Sequence, residues 1–306
     1  MDAQNLSAYP ISVVVVSDYE AESEKTWKDE VQILHFLAKQ DLKEAFEVIL
    51  VENDSAKGSV PDELRKIYPH LRIVFSNESQ SAKLKDDGVR QAKADYVAVL
   101  EADCLPNPEW LSSLYSALQQ NKDFSVASGR TTYGDGTMYQ RCLSLLDRSF
   151  DNPGHPGETI HISNNGALYR RLILEKFPYP EAVSPFQSSR LRIKNLREAG
   201  HRFYFEPKAV MRHAIGGIHF IRDFRRNTGY ADMMEHSPKK YSEIPRLLWK
   251  RFNNEYSDSL RLGPQYLKWH DCPLLISLSL LVPFLGIPGM FDAINERDNI
   301  PYSSYR

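Results

Sequence analysis

Acidic residues follow three of the short apolar segments in the early part of the chain. They are Asp18 and Glu20, then Glu52, then Glu101 and Asp103. Two carboxylates separated by one residue supply the oxygen ligands that a divalent metal ion prefers. Such an ion neutralises a diphosphate and stabilises it as a leaving group, while a neighbouring carboxylate accepts hydrogen bonds from ribose hydroxyls or a base N–H. The alternative is that each acid caps the helix after its strand, but three clusters favour a binding site.

The elements that must position these acids alternate along residues 11–100. Apolar, β-branched runs predict strands at residues 11–16, 46–51, 71–75 and 96–100, and helical spacing predicts helices at residues 24–40 and 81–94. This alternation predicts an α/β fold with a doubly wound, mostly parallel sheet flanked by helices. Ligands bind at the carboxyl ends of the strands in such sheets, so we expect the acidic clusters to meet there.

Other classes of protein are disfavoured by what the sequence contains. No Gly-x-Gly-x-x-Gly follows the first predicted strand and no P-loop motif occurs. The net charge of −2 gives the protein no overall positive potential that would attract nucleic acid, so we do not expect nucleic acid as a partner. The three cysteines lie far apart with no Cys-x-x-Cys pair, which predicts neither a disulfide framework nor a zinc site. The polar N-terminus lacks a signal-like apolar core, and we expect a cytoplasmic protein.

The most specific segment of the chain is residues 101–111, which read Glu-Ala-Asp-Cys-Leu-Pro-Asn-Pro-Glu-Trp-Leu. This segment resembles the Asp-Ala-Asp and Pro-x-Pro-x-Trp-Leu motifs of the family 2 glycosyltransferases, which have the GT-A fold. The resemblance extends over about residues 11–235. Further similar segments are Ser17–Ala21, Val51–Ser55, Lys85–Gly88, Asn164–Arg171 and Phe205–His213.

The resemblance implies a donor site for a nucleoside diphosphate sugar of the UDP or GDP type. Asp18, Glu20 and Glu52 would contact the nucleoside, Lys85 the base or diphosphate, and Glu101 the ribose. Asp103 and His213 would hold Mn²⁺ or Mg²⁺. The alternative for His213 is that it is a polar residue at the end of a strand whose ring forms hydrogen bonds with the backbone.

The chain departs from the family where the catalytic base is expected. Family members that invert the sugar carry an acid pair about twelve residues before the Gly of an Arg-x-Ala-Gly segment. Here that segment is Arg197–Gly200, and counting back reaches Ser188 and Ser189. A serine hydroxyl cannot take a proton at neutral pH. Glu181 is the first candidate for a substitute base, with Asp151 and Glu158 in neighbouring loops as others.

Polar groups further along the chain are candidates for binding the diphosphate or the acceptor. They are Asn165, Arg222, Arg225 and Arg226. The arginines would stabilise the departing diphosphate. The alternatives are a solvated helix face or a patch that touches anionic lipid.

Residues 272–291 carry no formal charge and are long enough to span a bilayer. Pro283, Gly286, Pro288 and Gly289 would break or kink such a helix. The alternatives are a span, an apolar hairpin packed on the protein, or one lying in a membrane interface. We therefore expect a GT-A domain over residues 1–215, a helical extension over residues 216–271, and a membrane-associating segment with a polar tail over residues 272–306.

Three functions remain open on the sequence. The first is an inverting, metal-assisted sugar transferase with a lipid-linked or saccharide acceptor. The second is a binding protein of the same fold that keeps the nucleotide sugar but has lost the base. The third is a nucleotidyltransferase, which the absence of a Gly-rich basic loop after the first strand disfavours.

Overall fold

The computed structural model describes residues 9–17, 26–150, 152–163, 165–182, 185–213, 217–235 and 239–295. Nine strands and eleven α-helices lie within these ranges. The strands are β1 (Ile11–Val16), β2 (Glu47–Asn53), β3 (Arg72–Ser76), β4 (Tyr96–Glu101), β5 (Cys104–Pro106), β6 (Val126–Thr132), β7 (Gly157–Thr159), β8 (Ala167–Arg170) and β9 (Phe203–His213). The helices are α1 (Lys28–Leu37), α2 (Glu63–Ile67), α3 (Ser81–Gln91), α4 (Trp110–Gln120), α5 (Met138–Arg148), α6 (Arg171–Lys176), α7 (Pro185–Glu198), α8 (Gly217–Met234), α9 (Ile244–Tyr266), α10 (Cys272–Leu281) and α11 (Ile287–Ile294).

All strands belong to one mixed sheet in the order β3-β2-β1-β4-β8-β6-β9-β5, with β7 paired to β9. β3, β2, β1 and β4 run parallel, as predicted. Beyond β4 the sheet is mixed, because β8 lies antiparallel between β4 and β6. The α/β fold predicted from the sequence is confirmed.

Residues of β1 alternate between two cores because side chains of a strand point to opposite faces. Val13 and Val15 belong to a cluster with α1 and α4, whereas Val14 and Val16 belong to a cluster with α3 and α7. Helices therefore cover both faces of the sheet, which is why β1 reads as a continuous apolar run.

The predicted elements agree with the observed ones to within a few residues. The first predicted helix appears as α1, and its first two residues lie outside the described part of the chain. The second predicted helix ends earlier than expected, at Gln91, where Ala92 becomes extended and leads into β4.

The apolar C-terminal segment is broken as its prolines and glycines predicted. α10 and α11 are separated by a 3-10 turn, Val282–Gly286. The glycines also allow close helix packing, since a Cβ on Gly289 would lie 1.8 Å from the carbonyl oxygen of Arg226 in α8. By length and composition, Trp269–Ile294 is the one stretch in the described part of the chain that could cross a membrane. One third of its most apolar window is buried in the protein.

Candidate functional site

The acidic motif of residues 101–103 lies where β4 ends and β5 begins. β5 pairs antiparallel with β9, so that Cys104 is opposite His213. This register brings Nδ1 of His213 to 3.6 Å from Oδ2 of Asp103. The predicted metal ligands, which are far apart in the chain, are therefore adjacent in the fold.

Four side chains in this region could hold a metal ion. Their candidate ligand atoms lie within 4.8 Å of one another, and the residues are Glu101, Asp103, Cys104 and His213. Burial, with Asp103 and Glu101 nearby, raises the pKa of Cys104 well above its usual value. The thiol therefore stays protonated and is a poor ligand. The carboxylate of Asp103 and the imidazole of His213 would together hold a divalent ion.

Lys85 is fully buried and fixes the neighbouring carboxylate. Its Nζ donates hydrogen bonds to Glu101 at 2.7 Å and to the side-chain oxygen of Asn165 at 2.8 Å. Asn165 in turn donates to the second oxygen of Glu101. Burial alone would lower the pKa of Lys85, but Glu101 outweighs it and raises that pKa. Burial likewise would raise the pKa of Glu101, and Lys85 more than offsets this, so both groups are charged at neutral pH.

The position of Asn165 depends on the predicted Trp-Leu motif. Trp110 is completely buried at the start of α4, and its indole N–H donates to the carbonyl oxygen of Gly166 at 2.9 Å. Gly166 has a φ of +93°, which a residue with a side chain rarely adopts. The motif that follows Asp103 thus holds the segment that carries Asn165.

The second strand-end acid, Glu52, is also completely buried. Ser17, directly after β1, donates a hydrogen bond to Glu52 at 2.7 Å and also contacts Glu30 of α1. Glu30 is not among the residues predicted for the site, and its only signal in the sequence is an acid on the buried face of a predicted helix. Asp18 and Glu20, the other two predicted nucleoside contacts, lie outside the described residues.

A cavity of about 570 Å³ adjoins this site. Its strand wall is formed by residues at strand ends and in the loop before β8, namely Glu101, Thr131, Ser163, Asn165 and His213. Its helical wall is formed by α5, α7, α8 and α9 and includes Asp147, Arg225, Asp232, Arg251 and Glu255. Lys85 does not line the cavity, so its contact with a diphosphate stays a prediction, whereas its contact with Glu101 is direct.

The three predicted diphosphate arginines have carboxylate partners. Arg225 is buried between Asp147 and Glu255 and lines the cavity. Arg226 pairs with Asp292 of α11 at 2.7 Å and Arg222 bonds its neighbour Asp223. Neither Arg222 nor Arg226 lines the cavity.

Two of the three candidate bases named from the sequence, Glu181 and Glu158, do not line the cavity. Glu181 is exposed and absent from its lining, and Glu158 forms a surface pair with Arg202. Asp151 lies outside the described residues. Of the two serines at the counted positions, Ser189 lines the cavity and Ser188 donates to the carbonyl oxygen of Pro180 at 2.6 Å.

Comparison with known proteins identifies related chains. The model of the family described as glycosyl transferase family 2 matches residues 26–177. The hyaluronan synthase of Pasteurella multocida is 28% identical over 119 residues, which are 36% of this chain and 12% of that protein. The glycosyltransferase AglE of Haloferax volcanii is 26% identical over 121 residues, which are 35% of this chain and 40% of that protein. The matched regions thus span less than half the length of these curated relatives.

Two solved structures share the fold at low sequence identity. The mannosyltransferase PcManGT from Pyrobaculum calidifontis, solved with GDP-Man and Mn²⁺, has a TM-score of 0.59 at 15% identity, covering 97% of this chain and 91% of that one. TarS residues 1–349 from S. aureus, solved with UDP-GlcNAc, has a TM-score of 0.51 at 14% identity, covering 93% and 89%. These likenesses establish a GT-A architecture.

Proposed function

Since the chain belongs to glycosyl transferase family 2 and is an enzyme of the glycosyltransferase type, we propose that it moves a sugar from a nucleoside diphosphate sugar to a hydroxyl acceptor. We further propose that the reaction inverts the sugar and is assisted by Mn²⁺ or Mg²⁺. The observation that carries the proposal is the approach of Asp103 and His213 to 3.6 Å beside Glu101, at the edge of the cavity. GDP-Man with Mn²⁺ in PcManGT and UDP-GlcNAc in TarS support this class of donor.

The roles of the residues follow from their chemistry. Asp103 and His213 would hold a divalent cation, which when bound supplies the positive charge that stabilises a departing diphosphate. Glu101 would accept hydrogen bonds from the ribose hydroxyls, and Lys85 and Asn165 keep its carboxylate charged and oriented. Glu52, with Asp18 and Glu20, would contact the nucleoside.

The alternative is a binding protein that keeps this donor site without turnover. The two serines where the family carries its acid pair favour that alternative. We propose that the acceptor hydroxyl belongs to a saccharide or to a lipid-linked molecule.

The test is a thermal-unfolding panel of UDP, GDP, UDP-GlcNAc and GDP-mannose, each with Mn²⁺, Mg²⁺ or EDTA. We expect stabilisation by one nucleotide class only when metal is present, of about 2.7 kcal/mol at one hundred times the dissociation constant. Release of the nucleoside diphosphate from the sugar donor separates an enzyme from a binding protein. The donor-site assignment would be wrong if no nucleotide stabilised the protein at millimolar concentration in the presence of metal.

We also propose that the protein attaches to a membrane surface through its C-terminal helices. α10 exposes Ile276, Leu280 and Leu281, the turn after it exposes Phe284, and Trp269 at its start is 86% exposed. An apolar helix face with an aromatic residue at its rim is typical of a segment that lies in a membrane interface. The close packing of α11 on α8 favours an interfacial position over a span. A cytoplasmic location stays a prediction from the sequence.

Flotation with liposomes of phosphatidylcholine, with and without phosphatidylglycerol, tests this attachment. Ile276 and Leu280 lie one turn apart, so the double substitution Ile276→Glu with Leu280→Glu places two charges on the exposed face and should abolish flotation. Leu172→Glu replaces an exposed leucine of α6, outside these C-terminal helices, and should float like the wild type. A wild type that floats with neither lipid mixture would refute the attachment.

A further inference from the structure

The helical wall of the cavity carries several carboxylates, and most of their oxygens are occupied. Asp147 of α5 accepts from Arg225 with one oxygen and from the Tyr133 hydroxyl, at 3.3 Å, with the other. Asp232 of α8 accepts from Arg190 with one oxygen and from Arg251 with the other. Each oxygen of these two carboxylates already accepts a hydrogen bond from a side chain of the protein.

Glu255 of α9 is different. It is buried, lines the cavity, and accepts a hydrogen bond from Arg225 through Oε1. Its second oxygen, Oε2, is buried with no hydrogen-bond partner among the described residues. A buried carboxylate oxygen without a partner is energetically unfavourable, because it has lost its hydrogen bonds to water. A hydroxyl of a bound substrate is the kind of partner that would remove this cost.

We propose that Glu255 is the catalytic base of the sugar transfer, an inference that rests on the proposed function. Oε2 takes the proton of the acceptor hydroxyl while the acceptor oxygen forms a bond to the anomeric carbon. The bond from that carbon to the diphosphate oxygen breaks, and its electron pair leaves with the nucleoside diphosphate. The carboxyl proton then passes to solvent.

The surroundings of Glu255 suit a proton acceptor. Burial raises the pKa of Glu255, although Arg225 of α8 and Arg251 of its own helix lower it, and Asp147 of α5 adds to the rise. A raised pKa makes the carboxylate a stronger base. The carboxyl is protonated and inactive below this pKa, so turnover should rise as the pH rises through it.

Glu255 also offers a replacement for the acid pair that this chain lacks at residues 188 and 189. Ser189, at a counted position of the missing acid pair, lines the same cavity but has no carboxylate. The cavity thus receives its candidate base from α9 instead of α7. The contact with Arg225, thirty positions earlier in the chain, holds Glu255 in place.

The experiment measures nucleoside diphosphate release from UDP-GlcNAc and GDP-mannose with Mn²⁺, with water as the acceptor, between pH 5 and pH 9. Glu255→Gln keeps the shape of the side chain and an oxygen for Arg225. We expect its turnover to fall by about 10²–10⁴-fold, with loss of the acidic limb of the pH profile. Glu255→Asp should keep that limb at a reduced rate. Metal-dependent stabilisation by nucleotide should stay at the wild-type level in both variants.

Glu235→Gln is the matched control, because Glu235 also lines the cavity but binds Arg190 through both oxygens. Its turnover should match the wild type.

The assignment would be overturned if Glu255→Gln turned over at the wild-type rate, or if Glu235→Gln lost turnover to the same extent. If Glu255→Gln does not fold, an unchanged rate in Glu255→Asp would overturn it. A wild type that binds nucleotide but releases diphosphate from neither donor would also exclude a base at Glu255 while leaving the donor site standing. Absence of nucleotide binding would instead reject the proposed function.

Discussion

The two walls of the cavity use their charged residues in different ways. On the strand side, Asp103 and His213, which we propose as metal ligands, approach each other to 3.6 Å. On the helical wall, Arg225 is enclosed by Asp147 and Glu255, and Asp232 lies between Arg190 and Arg251. On the strand side Glu101 is paired with Lys85, whereas Asp103 lies at the longer distance of 3.6 Å from His213. On the helical side, Asp147, Glu255 and Asp232 are all paired closely with arginines.

This difference separates binding from stability. An ion pair that is buried contributes to a fixed geometry, and losing one partner leaves an uncompensated charge. A carboxylate whose role is to bind a metal ion contributes little to the free energy of folding when the metal is absent. We therefore expect substitutions on the helical wall to lower the free energy of unfolding, and substitutions at the metal ligands to affect ligand binding alone.

Arg225→Met should have the largest effect on stability. Arg225 is 3% exposed, and its loss leaves two buried carboxylates, Asp147 and Glu255, without their shared partner. We expect the free energy of unfolding to fall by about 3–5 kcal/mol, measured by urea denaturation at neutral pH. Arg190→Ala is the comparison, because this side chain is 32% exposed and its pairs should contribute only about 0–1 kcal/mol. Equal losses in the two variants would contradict the contrast between buried and exposed pairs.

The strand wall could be predicted from the sequence and the helical wall could not, for a physical reason. The carboxyl ends of adjacent parallel strands must share one edge of the sheet, so identifying β1, β2 and β4 is enough to group Glu52, Glu101 and their neighbours. Asp147 and Glu255 meet through Arg225 across long stretches of chain, on helices whose packing angles no local pattern specifies. The Arg222–Arg226 run predicted from the sequence as a diphosphate site is distributed by helix geometry over different partners.

The glycines of the C-terminal segment show a similar limit. Gly286 and Gly289 predicted a broken helix, and the break is present. Their contacts with α8 were not predictable, because they depend on Gly229 of α8, whose added Cβ would lie 2.0 Å from the carbonyl oxygen of Gly286. Glycine at these positions on both helices lets the two backbones touch.

Gly289→Ala should therefore have an intermediate effect. The new Cβ would lie 1.8 Å from a backbone oxygen of Arg226, so α11 must move away from α8. Such overpacking typically costs about 1–3 kcal/mol. Gly263→Ala in α9 is the matched control, since its Cβ would meet only Leu267 at 3.7 Å. Alanine there should stabilise the helix by about 0.4–1 kcal/mol. A lower urea midpoint for Gly263→Ala than for Gly289→Ala would contradict the packing argument.

Asp103→Ala should change the stability of the protein without metal least of all. Asp103 lies 3.6 Å from His213 and accepts a hydrogen bond from the Cys104 thiol at 3.4 Å, and both are weak interactions. We expect a urea midpoint like that of the wild type in EDTA. With Mn²⁺ and the stabilising nucleotide, the wild type should gain about 2.7 kcal/mol at one hundred times its dissociation constant, and the variant should lose most of this gain because one metal ligand is missing. Asp103→Asn keeps the side-chain shape without the charge and should lose the gain as well. A variant that unfolds in EDTA would show that Asp103 is structural. The contrast between ligand binding on the strand side and stability on the helical side would then be wrong.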